Sequence, residues 1–148
     1  MKNIYIIASI FGAALLSFTA YYYIRNPLVP KIKVGRVTFV IEIAVRPEEK
    51  EKGLGGRDSL AAGTGMLFPY DHKERYRFWM KGMRFPLDFV WITDQKVIDV
   101  TENVPPPSGE QIATVQPRVP VSQILELNAG EVKKYRIKIG DPVSLLTK

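Results

Sequence analysis

The stretch RFWMKGMRFPLDFVWI, residues 77–92, is the densest apolar and aromatic run after the N-terminal segment, and its pattern gives the clearest indication of the fold class. Its last part alternates between two sets of positions, which are Leu87, Phe89 and Trp91 on one side and Asp88, Val90 and Ile92 on the other. Because both sets are mostly apolar, the pattern predicts a strand that is buried on both faces and therefore central in a sheet. An ionised carboxylate such as Asp88 is costly there unless it is paired or hydrogen-bonded.

Segments on either side of this strand have the period of two that is typical of β-structure. They are VTFVIEIAV at residues 37–45, GMLFPY at 65–70, YRFWM at 76–80, KVIDVTENV at 96–104, VSQILEL at 121–127 and GDPVSLL at 140–146. Pro47 followed by Glu48 and Glu49 favours a short helix that ends at the glycines after Lys52. A second short amphipathic segment carries Val132, Tyr135 and Ile139 on one side.

These elements predict a mainly β domain, in which a compact and mainly antiparallel sheet is closed or half closed into a small barrel with one or two short helices. The many prolines and glycines, 11 of each, agree with short strands and tight turns. A ferredoxin-like α+β sheet is the alternative fold.

Residues 4–24, IYIIASIFGAALLSFTAYYYI, are 21 consecutive uncharged residues. As a helix that rises ~1.5 Å per residue they would span roughly 30 Å, the thickness of the hydrocarbon core of a bilayer. We therefore predict one N-terminal transmembrane helix that anchors the chain to a membrane through residues 4–24. A cleaved signal peptide is the alternative, but Phe18 with Ala20 lacks the small residues that cleavage requires.

The chain divides into an N-terminal anchor at residues 1–25, a stiff linker at 26–36 with Pro27 and Pro30, and a single globular domain at 37–148. The basic residues that follow the anchor would by charge count keep this domain in the cytoplasm. A folded domain of this length can nevertheless be translocated regardless of flanking charge. We expect the domain on the extracytoplasmic side.

The composition argues against several classes of protein. The chain has no cysteine and a single histidine, His72, so thiolate chemistry and a histidine cluster for zinc are excluded, and we expect no metal and no cofactor. The net charge is +6, but the basic residues are spread along the chain, and the longest basic block is Lys133 with Lys134. We therefore expect no nucleic-acid partner.

The blocks EIAVRPEEKEKGLGGRDSL, GMLF, FWMKGMRFPLDFVWI, ILELNAG and IGD, in this order over about residues 37–146, resemble the domain of unknown function 192 family. The resemblance implies a small, mainly β protein, often exported or membrane-anchored, and brings no established activity. It places the recurring polar positions of the family on Arg57, Lys81, Asp88 and Glu126, next to Trp79 and Met80. This chain departs from the family pattern at Gly55, where a bulky residue is usual, and at Gly82, where an asparagine is usual.

Three interpretations of these residues stay open. In the first, Asp88 forms a buried ion pair with Lys81, Arg84 or Arg57 that holds the loop after FWMKG against the sheet. In the second, five residues line one pocket for an anionic or sugar-like ligand: Arg57, Trp79, Lys81, Asp88 and Glu126. In the third, Asp88 and Glu126 act as a catalytic acid and base.

The functional hypothesis that follows is a membrane-anchored module of the cell envelope that binds a ligand or another envelope protein and catalyses no reaction. The first alternative is a hydrolase or lyase that uses carboxylates on envelope carbohydrate. The second is a purely structural partner of a membrane complex. No nucleophile with an adjacent base and no nucleotide-binding motif is present in the sequence, which weighs against common enzyme classes.

Overall fold

The computed structural model describes residues 29–146, and the predicted anchor at residues 4–24 lies outside them. Within residues 29–146, neither of the two helices has the length or the apolar composition of a membrane-spanning segment.

Residues 29–146 contain nine strands and two short helices, which are joined by turns and loops. The strands are β1 (Lys31–Val34), β2 (Val37–Ile43), β3 (Thr64–Glu74), β4 (Phe78–Trp79), β5 (Leu87–Thr93), β6 (Lys96–Val104), β7 (Thr114–Val115), β8 (Val121–Asn128) and β9 (Val143–Leu146). The helices are α1 (Pro47–Lys52) and α2 (Glu131–Tyr135). The prediction of a mainly β domain with short helices is confirmed.

Seven strands form one sheet in the order β6-β5-β8-β3-β2-β1-β9, and β4 pairs with β7 in a small separate sheet. All neighbours in the large sheet are antiparallel except β2 and β3, which are parallel. The parallel pair arises because residues 44–63, which include α1, carry the chain back before β3 begins; a parallel pair requires such a crossover connection.

The large sheet curls until its two end strands meet, which gives a half-barrel. Near the start of β6, Val97 donates its N–H to the carbonyl oxygen of Asp141 at 3.0 Å and accepts from Gly140 N–H at 2.8 Å. Val143 of β9 donates to the carbonyl oxygen of Gln95 at 2.8 Å. These bonds satisfy backbone groups that an open sheet edge would leave unpaired. The half-closed barrel is thus confirmed, and the ferredoxin-like alternative is not observed.

The buried side chains form two clusters, one on each face of the sheet. The first core contains Val90 and Ile92 of β5 together with residues of β1, β2, β9 and α2. The second core contains Leu87, Phe89 and Trp91 of β5 and the side chains under α1 and β4. Strand β5 lies between β6 and β8 and is buried along its whole length, so the prediction of a central strand with two apolar faces is confirmed.

Two predicted boundaries differ from the observed ones. Residues 31–34, which we assigned to the linker, form β1, because Ile32 and Val34 alternate with lysines and enter the first core between β2 and β9. The polar segment DHKE at residues 71–74, which lies between two of the predicted strands, belongs to β3 and contains most of the irregularity between Pro69 and Glu74. In both places the strand also pairs with a segment that is distant in sequence, β9 for β1 and Val121 for Glu74.

Asp88 is buried and forms no ion pair within residues 29–146. Its Oδ1 accepts the N–H of Asn103 at 2.8 Å, and its Oδ2 accepts the N–H of Val132 at 2.9 Å, in the first turn of α2. Gly130, which precedes α2, has no side chain to cap the helix, so Asp88 of β5 supplies that acceptor. The predicted ion pair of Asp88 is therefore wrong: two backbone amides solvate the carboxylate.

Candidate functional site

The second core opens to solvent in a pocket of about 210 Å³ between α1, β3, β4 and β8. Its buried members are Leu54, Phe68, Phe78, Met83 and Glu126, which form the floor. Its half-buried or exposed members are Lys50, Glu51, Lys52, Gly53, Tyr70, Arg77, Trp79 and Lys81, which form the rim. A volume of this size is below the roughly 300–1,000 Å³ of pockets for drug-sized molecules, so the pocket accommodates about one ring with its substituents.

Glu126 is the polar group of the floor. It is 5% exposed, and its Oε2 has no hydrogen-bond partner within residues 29–146. Burial raises the pKa of Glu126 from 4.5 to about 8, because the charged form loses its hydration without gaining a partner. At neutral pH the carboxyl group is mostly protonated, so the floor carries a neutral O–H donor with an acceptor oxygen beside it.

Aromatic rings contribute to both the floor and the rim of the pocket. Phe68 and Phe78 meet edge to face with ring centroids 5.1 Å apart. Trp79 is 52% exposed at the rim, and the Nζ of Lys81 lies 5.4 Å from the centroid of a Trp79 ring. A half-exposed indole that projects from a two-residue strand is an available flat surface for a ring.

The rim is positively charged. Lys50 is partly engaged, since its Nζ donates to the carbonyl oxygen of Pro69 and lies 4.0 Å from the centroid of the Tyr70 ring. The other three cations of the rim, Lys52, Arg77 and Lys81, form no ion pair in the described part of the chain. Glu51 is the single acid among the rim residues. The rim therefore favours an anion.

Gly53 keeps the floor accessible. Its φ of 49° lies in the left-handed region, and a Cβ atom at this position would lie 3.9 Å from Oε2 of Glu126 and 3.5 Å from the ring of Phe68. A larger side chain here would extend over the carboxyl group. The glycine that the sequence marked as a helix end thus also leaves space beside Glu126.

Of the five residues predicted to share a pocket, three line this one: Trp79, Lys81 and Glu126. Arg57 lies in an adjacent depression, where its guanidinium forms a bidentate pair with Glu42 at 2.5 and 2.7 Å. Hydrogen bonding to Arg57 lowers the pKa of Glu42. Arg57 is thus paired with Glu42 and does not line the first pocket. Asp88 does not line it either, because it binds the first turn of α2.

Asp88 and Glu126 point to opposite faces of the sheet. In the pairing of β5 with β8, Asp88 is opposite Leu127, whereas Glu126 is opposite Phe89. Residues directly opposite each other share a face, and successive residues alternate. Asp88 therefore lies on the face of the first core and Glu126 on the face of the second core. The hypothesis that they act together as acid and base is wrong.

No pattern in the sequence pointed to the other residues of the pocket, which include Lys50, Lys52, Tyr70 and Arg77. Lys50 and Lys52 belong to α1, whose alternating charges read as an ordinary solvated helix surface. Tyr70 was assigned to a strand without a site. Burial raises the pKa of Tyr70, with smaller contributions from Tyr76 and Glu126, in agreement with its place near the carboxyl group.

Comparison with known proteins gives a family and two similar structures. The model of the domain of unknown function 192 family, described as an uncharacterized ACR, matches residues 30–145. A candidate transcription regulator from Sinorhizobium meliloti 1021 is 32% identical over 80% of this chain and 95% of its own, with a TM-score of 0.69. A protein of unknown function from Novosphingobium aromaticivorans DSM 12444 is 28% identical over 77% of this chain and 83% of its own, with a TM-score of 0.71. No curated protein matches the chain.

Proposed function

Because the chain belongs to the domain of unknown function 192 family, whose description names no activity, we propose its function from the pocket itself. The protein is a membrane-anchored binding module that catalyses no reaction and takes a small anionic or sugar-like ligand between Trp79 and Glu126. Its globular domain lies on the extracytoplasmic side. The observation that supports this proposal is the buried, unpartnered oxygen of Glu126 beneath a rim of cations.

Each part of the pocket has a role in this proposal. A native protein rarely leaves a buried polar group without a partner, and Glu126 lines the cavity while its buried Oε2 has no partner, so the carboxyl group is the natural polar anchor for a ligand. Trp79 offers its face to the ring of the ligand, as aromatic side chains do in sugar and aromatic sites. Lys81 and Arg77 bind the anionic group with charge-assisted hydrogen bonds.

The described part of the chain does not favour DNA binding as its function. The two described helices contain six and five residues, and neither forms part of a helix-turn-helix that could present a recognition helix to a major groove. The cations of the pocket surround a small concave site, which fits a compact anion better than a duplex.

Removal of the Lys81 charge should weaken binding of an anionic sugar. We expect D-glucose 6-phosphate to change the tryptophan fluorescence of the full-length protein in detergent, because Trp79 lies at the rim while Trp91 is buried. Lys81→Met should weaken this binding about tenfold or more, the loss that corresponds to one charge-assisted hydrogen bond.

Lys133→Met is the matched control, since Lys133 is exposed on α2 away from the pocket. This variant should bind D-glucose 6-phosphate with the affinity of the parent protein. D-glucose, which lacks the phosphate, should bind more weakly than its phosphate. An equal loss of affinity in both variants, or no response to either sugar, would contradict the proposed site.

The anchor proposal rests on residues 4–24 and makes a separate prediction. Full-length protein should fractionate with membranes and resist extraction by high salt, because a segment of 21 uncharged residues partitions into the bilayer. Added protease should digest the domain once any outer barrier is permeabilised. An N-terminally shortened chain in the soluble fraction would indicate a cleaved signal peptide, and complete protection from protease would contradict the extracytoplasmic orientation.

A further inference from the structure

The distribution of charged groups in the pocket specifies the class of ligand more closely, given the proposed function on which this inference rests. We infer that the ligand is a zwitterion of about one ring, whose ammonium group lies against Glu126 on the floor and whose anionic group lies between Lys52, Arg77 and Lys81 on the rim. An amino sugar phosphate has this chemistry.

The floor favours an ammonium group over a hydroxyl group. Oε2 of Glu126 is buried and lacks any donor from the described part of the chain, whereas an ammonium group brings three N–H donors and a charge opposite to that of the ionised carboxylate. The rings of Phe68 and Phe78 line the same cavity as Tyr70 and Trp79, and aromatic faces attract a desolvated cation. A hydroxyl group would gain neither the charge pair nor the attraction to the rings.

The rim requires that the same ligand carry an anion. Lys52, Arg77 and Lys81 line the opening without ion-pair partners in residues 29–146. The acids near them are Glu51 on the rim and Glu48 in an adjacent depression, so cations outnumber acids. A ligand with a cation alone would be repelled at the opening, and a ligand with an anion alone would leave the carboxyl group of Glu126 without a partner. One ring that separates the two charges satisfies both ends of the pocket, and a volume of about 210 Å³ holds little more.

Binding of such a ligand releases a proton. The free protein holds Glu126 mostly as the neutral acid at pH 7, because burial raises its pKa to about 8. When the ammonium group arrives, the O–H bond of Glu126 breaks, the proton passes to the buffer, and the carboxylate forms a charge pair with the ammonium. The other titratable groups that line the pocket are Lys50, Glu51, Lys52, Tyr70, Arg77 and Lys81.

Calorimetric titration of the full-length protein with two probes tests this inference. D-glucosamine 6-phosphate and D-glucose 6-phosphate differ in one ammonium group that replaces one hydroxyl group, so the phosphate contributes equally to both. At pH 7 we expect the amino sugar phosphate to bind about tenfold or more tightly. Titrations in buffers of different ionisation enthalpy should show the release of close to one additional proton with the amino sugar phosphate.

Glu126→Gln is the matched variant, because it keeps the shape of the side chain and removes the charge. In this variant both the difference in affinity and the additional proton should disappear, while D-glucosamine without phosphate should bind weakly to either protein. Equal binding of the two phosphates with equal proton release would overturn the inference and leave the anion site in place. Failure of both phosphates to bind would overturn the proposed function together with this inference.

Discussion

The Glu126→Gln variant should gain stability relative to the parent protein as the pH rises from about 4.5 to about 8, by up to about 5 kcal/mol in the free energy of unfolding. The folded pKa of Glu126 lies above the unfolded value, so the folded protein holds a proton in this range that the unfolded chain releases. The stability of the parent protein therefore falls as the pH rises through the range. Each unit between the two pKa values corresponds to about 1.4 kcal/mol, and glutamine does not titrate.

Urea unfolding of both proteins at several pH values between 4 and 9 measures this difference. Glu102→Gln is the matched control, because Glu102 is exposed on β6. The free energy of unfolding of this variant relative to the parent protein should change by less than about 0.5 kcal/mol over the same pH range. Parallel curves of stability against pH for Glu126→Gln and the parent protein would contradict a protonated carboxyl group on the floor of the pocket.

Asp88→Asn should lower the free energy of unfolding by roughly 2 to 3 kcal/mol, although it conserves the shape of the side chain. Asp88 is 0% exposed, and each of its oxygens accepts a backbone N–H, from Asn103 and from Val132. The amide of asparagine offers one oxygen, so its NH₂ group would face an N–H donor and leave that donor unsatisfied. The charge-assisted character of the remaining bond would be lost as well.

Asp58→Asn is the control for this substitution. Asp58 also binds a partner, Arg84, but its side chain is 85% exposed, so water screens the pair and we expect a loss of less than about 1 kcal/mol. Chemical denaturation at pH 7 compares the two variants. If they lost similar amounts of stability, the structural role of Asp88 would be wrong. Binding of D-glucose 6-phosphate should be retained in folded Asp88→Asn, since Asp88 does not line the pocket.

The architecture could be predicted from sequence wherever a local pattern determined it. The alternation in residues 87–92 gave a strand buried on both faces, and it is central. The parallel pairing of β2 with β3 was missed, because it depends on where residues 44–63 return the chain and not on any pattern within the strands. Strand β1 was missed because Pro27 and Pro30 placed residues 31–34 in the predicted linker, although they form a tight hairpin with β2 and also pair with the distant strand β9.

The candidate site was predicted in part. Trp79, Lys81 and Glu126 share a pocket, although they come from different strands and loops. The apolar surroundings of Asp88 in the sequence indicated that its carboxylate needs a partner, and the nearby cations were the evident candidates. The actual partners are backbone N–H groups, which every residue except proline has, so the sequence cannot indicate which of them reach Asp88. The separation of Asp88 from Glu126 follows from the register between β5 and β8, which no pattern in either strand reveals.

A carbon-13 NMR titration of the Glu126 carboxyl carbon, with the signal assigned by its loss in Glu126→Gln, measures whether this carboxyl group is protonated in the free pocket. We expect a midpoint of about 8 in the free protein. We also expect the chemical shift of an ionised carboxylate at pH 7 once D-glucosamine 6-phosphate is bound. A midpoint near 4.5, the value of an ordinary glutamate, would show that Glu126 is solvated without a ligand and would rule out its role as the buried polar group of the pocket.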